Sequence, residues 1–473
     1  MELRTQSPTL RVLMLAGLAL LAAAFAYRCF QLAAADTLAD GGELEKLEWA
    51  VRLAPAQADY HNRLGRALIY SVTVFEMDRA TEQLEAATRL SPRTGQYWMD
   101  LALAYEMQHR PPDAAAAMER AVALRPHGVD ALWTAGNYFL RTRQIDRSLP
   151  YFRQLLELTP AYNWLTFAIL WRASENAEAD LNRLLPASVQ VWLEYLQFLV
   201  ANNHPEAASR QWEKIFARKD PYDPRMVFSY FDLLLSRGQP DAARAVWQHL
   251  RDAGLIPPRP DGARGQAPSP SAPGQAAGNL LYNGDFEETP LLGGFDWRVM
   301  LSPDVTADLE SPVAHTGTFS LKVEFTRKEN FHFAGVAHLA PVEPLHRYRL
   351  TGFLRAEGVS SDSGPRLLVT DYYSPDKLRV MTPDVLGTTD WKEVSVEFPT
   401  LPATRLLQVV LYRPPSRTFD NKMSGRIWLD SVRLESLGPV PSGAGLGPAP
   451  GKSVPPRRRG AGRSDSLERR KVG

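Results

Sequence analysis

Prolines recur at Pro92, Pro126 and Pro160, and each closes a run of the same texture: AATRLSP, RAVALRP and LLELTP. The three are separated by a constant 34 residues, and an earlier AVRLAP ends at Pro55. A period of this length means that each unit is one supersecondary element. Such a unit cannot bury its apolar face alone, so neighbours must stack to make a continuous core. A chain of 473 residues also exceeds what one ordinary core supports, so two or three domains are expected.

Within the period, large and small residues alternate in a fixed order. Trp98, Leu101, Ala102 and Tyr105 reproduce W-x2-L-[GA]-x2-Y, and Ala114, Met118, Ala121 and Pro126 complete that unit. One period later Leu132, Ala135, Gly136 and Phe139 are followed by Ser148, Phe152, Leu155 and Pro160. The small residues belong where two helices cross closely and the large ones fill the gaps between them. The segment resembles the tetratricopeptide repeat family, which implies an α-solenoid of helical hairpins over residues 41–255 and a protein partner held on its surface. Leu64, Gly65, Leu68, Ala80, Leu84 and Ala87 fit a further unit with a longer inner turn. Asn163 to Leu185 has helical texture without the signature, which Trp192–Trp212 and Tyr230–Trp247 recover, and Leu44 to Leu53 forms a capping helix. Asn62, Asn137 and Arg141 fall nearer the inner face.

Ahead of the repeats, Arg4 and Arg11 precede an apolar run from Val12 to Tyr27, which Arg28 interrupts. Residues 12–32 are long enough to span a bilayer if Arg28 snorkels. Positive charge before the run keeps residues 1–11 in the cytoplasm and sends the rest out. That predicts a single-pass protein of a bacterial inner membrane. The rival is a cleaved signal peptide, with Leu32 to Ala35 offering small residues ahead of Asp36. Cys29 is the one cysteine, which excludes an internal disulfide framework; Tyr27 and Arg28 stand where lipidation requires small apolar residues.

Residues 256–278 are rich in Pro, Ala, Gly and Ser, the composition of an extended spacer. From Asn279 short alternating runs take over: SLKVEF (320–325), YRLTGFLRA (348–356), RLLVT (366–370), KEVSVEF (392–398), LLQVVLY (406–412) and RIWLDSVRL (426–434). Regular strands without helices predict an antiparallel β-sandwich over 279–437. NLLYNGDFEE at Asn279, HTGTFSLKV at His315, TTDWKEVSVEF at Thr388 and IWLDSVRLES at Ile427 resemble, in order, the jelly-roll carbohydrate-binding modules. That resemblance implies Glu287 and Asp430 as ligands of a structural calcium, with Ser431 standing where relatives carry a second acid, and no other cofactor. It also implies a glycan, for which Tyr372, Tyr373, Trp297, His332 and Arg413 supply aromatic faces and polar groups; relatives place Trp297, Trp391 and Trp428 in the core.

Residues 438–473 are Pro-, Gly- and Arg-rich, predict disorder, and carry a net +6, leaving about −5 elsewhere. No folded segment has the basic surplus that phosphate contacts need, so nucleic acid is excluded as a partner. The sequence contains no G-x-S-x-G elbow, phosphate-cradling glycine loop or H-E-x-x-H motif, so no enzyme is expected. The combination predicts an extracytoplasmic scaffold in envelope polysaccharide assembly or export. The alternatives are a protein–protein adaptor whose sandwich is a spacer, and a carbohydrate-active enzyme needing an acid pair in a cleft.

Overall fold

The computed structural model describes residues 8–71, 76–257, 278–301, 303–326, 330–416 and 423–441. The chain forms two compact units, Met1–Pro258 and Arg259–Gly473. The predicted disordered tail lies outside the described residues from 442 onward, as does the spacer from 258 to 277.

The first unit is helical. A single helix, α1 (Pro8–Asp40), is followed by α2 (Leu44–Leu53), α3 (Ala58–Tyr70), α4 (Met77–Leu90), α5 (Gly95–Met107), α6 (Pro111–Leu124), α7 (Val129–Arg141) and α8 (Ile145–Leu158). Then come α9 (Asn163–Ala173), α10 (Ala177–Leu184), α11 (Val189–Ala201), α12 (Pro205–Phe216), α13 (Phe228–Ser236) and α14 (Pro240–Asp252). The close crossings expected at small residues are present. A Cβ added to Gly136 would lie 2.7 Å from the Phe152 ring, and one added to Gly65 would lie 2.6 Å from Leu84 Cγ.

Two boundaries differ from the sequence reading. Asn163–Leu185 is a hairpin rather than one helix, because Ser174 Oγ accepts from Asn176 N–H and donates to Asp180, turning the chain between α9 and α10. The capping helix α2 also does not stand alone. It pairs with the end of α1, whose Ala35 and Ala39 are buried in one core with Leu47, Ala50, Ala54 and Tyr60. The Tyr60 hydroxyl donates to Asp36 and Arg63 reaches Asp40 at 3.2 Å, so the apolar N-terminal helix runs unbroken into the first hairpin of the array.

The second unit has ten strands: β1 (Arg298–Val299), β2 (Val305–Ser311), β3 (Ser320–Phe325), β4 (Phe333–Pro341), β5 (His346–Val359), β6 (Arg366–Asp371), β7 (Arg379–Met381), β8 (Gly387–Pro399), β9 (Leu406–Arg413) and β10 (Gly425–Pro439). They form two five-stranded antiparallel sheets, β1-β4-β9-β6-β7 and β2-β3-β10-β5-β8. Alternate residues of both sheets meet in one core, among them Leu367, Val369, Val409 and Leu411 from the first and Leu350, Leu354, Ile427 and Leu429 from the second. All six runs read as strands from the sequence lie in strands; β1, β4 and β7 carry weaker alternation, while β2 (VTADLES) alternates as strictly as the six and was missed.

Candidate functional site

The residues nominated from the sequence have unequal fates. Trp297 is fully buried, stacks on Phe286 at 4.9 Å and donates from its indole to the Asn283 carbonyl at 2.8 Å. Arg413 is fully buried as well. Its guanidinium donates to Asn330 Oδ1 at 3.1 Å, Ser361 Oγ at 2.8 Å, the Ser363 carbonyl at 3.2 Å and the Phe331 carbonyl. Burial pushes its pKa down from the usual guanidinium value. A sugar needs exposed faces and free donors, so both residues leave the glycan-binding set. They hold loops instead.

Glu287 and Asp430 do converge, on one turn. Asp430 Oδ2 accepts from the backbone N–H of His315 at 2.7 Å and of Thr316 at 3.0 Å, and Oδ1 accepts from Ser431. Glu287 Oε1 accepts from Thr318 at 2.7 Å and Phe319 at 3.0 Å. Between them Gly317 sits at φ +70°, where a Cβ would lie 2.3 Å from the Glu287 carboxylate, so only glycine fits. Burial pushes the Asp430 carboxyl above its usual range against the pull of those N–H groups. These oxygens already face N–H donors, which a cation would have to displace. Among the described residues no three His, Cys, Asp or Glu side chains gather as a metal site. In this structure both acids clamp the 315–319 turn.

The remaining nominees lie apart. Tyr372 and Tyr373 make a T-shaped pair at 5.0 Å, just past the end of β6, where Asp371 accepts from Tyr373 and Ser374 N–H groups. Tyr373 is exposed, and partial burial pushes its phenol to about 12. His332 is exposed near the opposite end of that sheet, since Arg413, which pairs with Phe333, follows Tyr412, the partner of Arg366 at the start of β6. The length of β6 therefore separates them by about 20 Å.

The sequence reading missed what accompanies His332. On the face of the first sheet turned away from the main core, Leu368, Val410 and Tyr412 form a second apolar cluster with Ala334 and Ala337. His332 meets the Tyr412 ring edge-on at 5.3 Å, and the Arg379 guanidinium lies 5.2 Å from the same ring. His332 and Arg379 are exposed. Leu368, Val410 and Tyr412 are themselves buried, so what this face offers a hydroxylated molecule is the planar polar groups of His332 and Arg379. The signal was present in LLQVVLY, which is apolar on both strand faces, as a strand covered on both sides must be.

In the helical unit the three inner-face nominees are engaged within the array. Asn62 donates to Asp100 at 3.0 Å, Asn137 to the Trp133 carbonyl at 2.8 Å, and Arg141 Nη2 to both carboxylate oxygens of Glu106 at 2.8 Å. Near its C-terminal end a cleft of about 450 Å³ is lined by Phe216, Tyr222 and His249, with Phe216 and His249 4.1 Å apart.

Residues 76–129 and 102–163 match the tetratricopeptide repeat family. No curated protein sequence matches the chain. Among solved structures, MamA is 22% identical, covering 26% of this chain and 77% of its own, with a TM-score of 0.24. PilF of Pseudomonas aeruginosa is 18% identical, covering 47% of this chain and 92% of its own, with a TM-score of 0.26. At those scores the likenesses carry no argument, and the weight rests on the repeats themselves. The helical unit therefore contains tetratricopeptide repeats, whose general work is to scaffold protein–protein interaction.

Proposed function

We propose that the chain is a membrane-anchored, non-enzymatic scaffold of the cell envelope, whose helical array holds a protein partner and whose β-sandwich holds a glycan. α1 supports the anchor, being long and apolar enough to cross a membrane. The strand orders support a jelly roll: β3-β10-β5-β8 and β4-β9-β6-β7 are two interlocked Greek keys with β1 and β2 added at the edges. The observation that carries the glycan reading is the pair of exposed planar polar side chains, His332 and Arg379, held against the buried Tyr412 ring.

The test is calorimetric titration of the full chain in lipid nanodiscs with envelope polysaccharide fragments. Saturable binding that falls tenfold or more in His332→Ala and Arg379→Ala, and is unchanged in Tyr373→Ala, is expected. No binding to a folded protein removes the glycan and leaves the adaptor with a spacer sandwich.

A further inference from the structure

We propose that the first hairpin of the helical array is seated in the phospholipid headgroup layer, with Trp49 and Arg52 of α2 as its interfacial anchors. The inference rests on the anchor reading of α1 and adds where the membrane surface lies on the molecule.

The length of the apolar segment sets the position. Val12 to Tyr27 is 16 residues, about 24 Å of helix, too short for a hydrocarbon layer of about 30 Å. Continuing to Leu32 gives 21 residues, about 31 Å, which matches. Arg28 must then snorkel outward; it donates to Gln31 at 3.2 Å, which donates in turn to the Tyr27 hydroxyl at 3.2 Å. Leu32 therefore marks the hydrocarbon edge.

α2 comes back to that edge. The turn closes with Gly42 N–H on the Ala39 carbonyl, and α2 runs antiparallel along α1, burying Leu47, Ala50 and Ala54 against Ala35 and Ala39. Arg52, eight residues after Leu44, returns about 12 Å, to within a turn of the level of Leu32. Trp49 lies about 4.5 Å further out, inside a headgroup layer of about 5–7 Å.

Both side chains suit that place. Trp49 is 50% exposed on a helix whose other face is core, and the Arg52 guanidinium lies 5.1 Å from its ring. A half-exposed indole with a cation above it is what the interface selects, the ring among glycerol and carbonyl groups and the guanidinium on phosphate. Glu48 offsets Arg52 little: it lies 3.9 Å away and is held by Arg79 at 2.5 Å.

The experiment uses the full chain with Cys29→Ser in nanodiscs of phosphatidylcholine and phosphatidylglycerol. Nitroxide labels are placed singly at Phe25→Cys, Trp49→Cys and the exposed array position Arg120→Cys. Relaxation by oxygen, which prefers lipid, is compared with relaxation by a water-soluble nickel chelate. A lipid-to-water ratio highest at 25, intermediate and several-fold above 120 at position 49, and reduced at 49 by Arg52→Glu, is expected. Position 25 in lipid with 49 as aqueous as 120 overturns the seating while the anchor stands. Position 25 in water overturns both. An unchanged ratio in Arg52→Glu overturns the phosphate contact.

Discussion

Asp296 shows how far a single residue can depart from its composition class. It is fully buried and accepts from the backbone N–H groups of Leu291 and Trp297, each at 2.7 Å, tying down the loop before β1. Desolvation pushes its carboxyl up to about 7, above an unfolded value of about 3.9. Below about pH 4 the group is protonated in both states and has no effect. Between about 4 and 7 only the unfolded chain releases the proton, so stability falls as pH rises, by on the order of a few kcal/mol, and levels off above 7. Hydrogen exchange of β4 and β9, corrected for intrinsic rate, is expected to show protection falling across that window. Asp296→Asn is expected to flatten the fall; an unaltered slope in the variant would assign it to other groups.

At the scale of elements, four of the turns between paired helices repeat one device. His109, Arg143 and Asn203 each take φ near +58°, and Gly238 occupies the same place at +70°. In every copy the next residue's N–H returns to a carbonyl five residues back, as Arg110 does to Tyr105, Gln144 to Phe139, His204 to Leu199 and Gln239 to Leu234. A left-handed conformation costs a non-glycine residue about 1–2 kcal/mol, which three copies carry and the fourth avoids. Arg143 is exposed, so Arg143→Gly is expected to stabilise the array by about 1 kcal/mol in denaturant titration. A destabilised variant would mean that the Arg143 side chain contributes more than its backbone costs.

Across the whole molecule, the N-terminal helix is structural as well as apolar. Its last two turns complete the first hairpin, and the Leu32–Ala35 stretch that a peptidase would need extended is helical, with Ala35 buried. Removing residues 1–40 bares Leu47, Ala50 and Ala54 and takes Asp36 from Tyr60. Because each repeat contacts only its neighbours, the damage should stay local. Hydrogen exchange of the truncated protein is expected to show lost protection in α2 and α3 and retained protection in α7 and α8. Unchanged protection in α2 would show that the hairpin closes without α1.

The sequence by itself determined the elements whose physics is periodic. A 34-residue repeat dictates stacked hairpins, with Gly136 facing Phe152, and strict alternation in SLKVEF and KEVSVEF dictates half-buried strands. Tertiary structure alone decided which polar and aromatic side chains are available. Trp297 and Arg413 look like ligand-binding residues in one dimension and are buried in three, while His332 and Arg379 meet at the Tyr412 ring only because β4, β9, β6 and β7 come side by side. Periodicity is a local property of the chain. Exposure and convergence depend on residues far apart in sequence, as when Arg413 closes on Phe331 or Asp430 on His315.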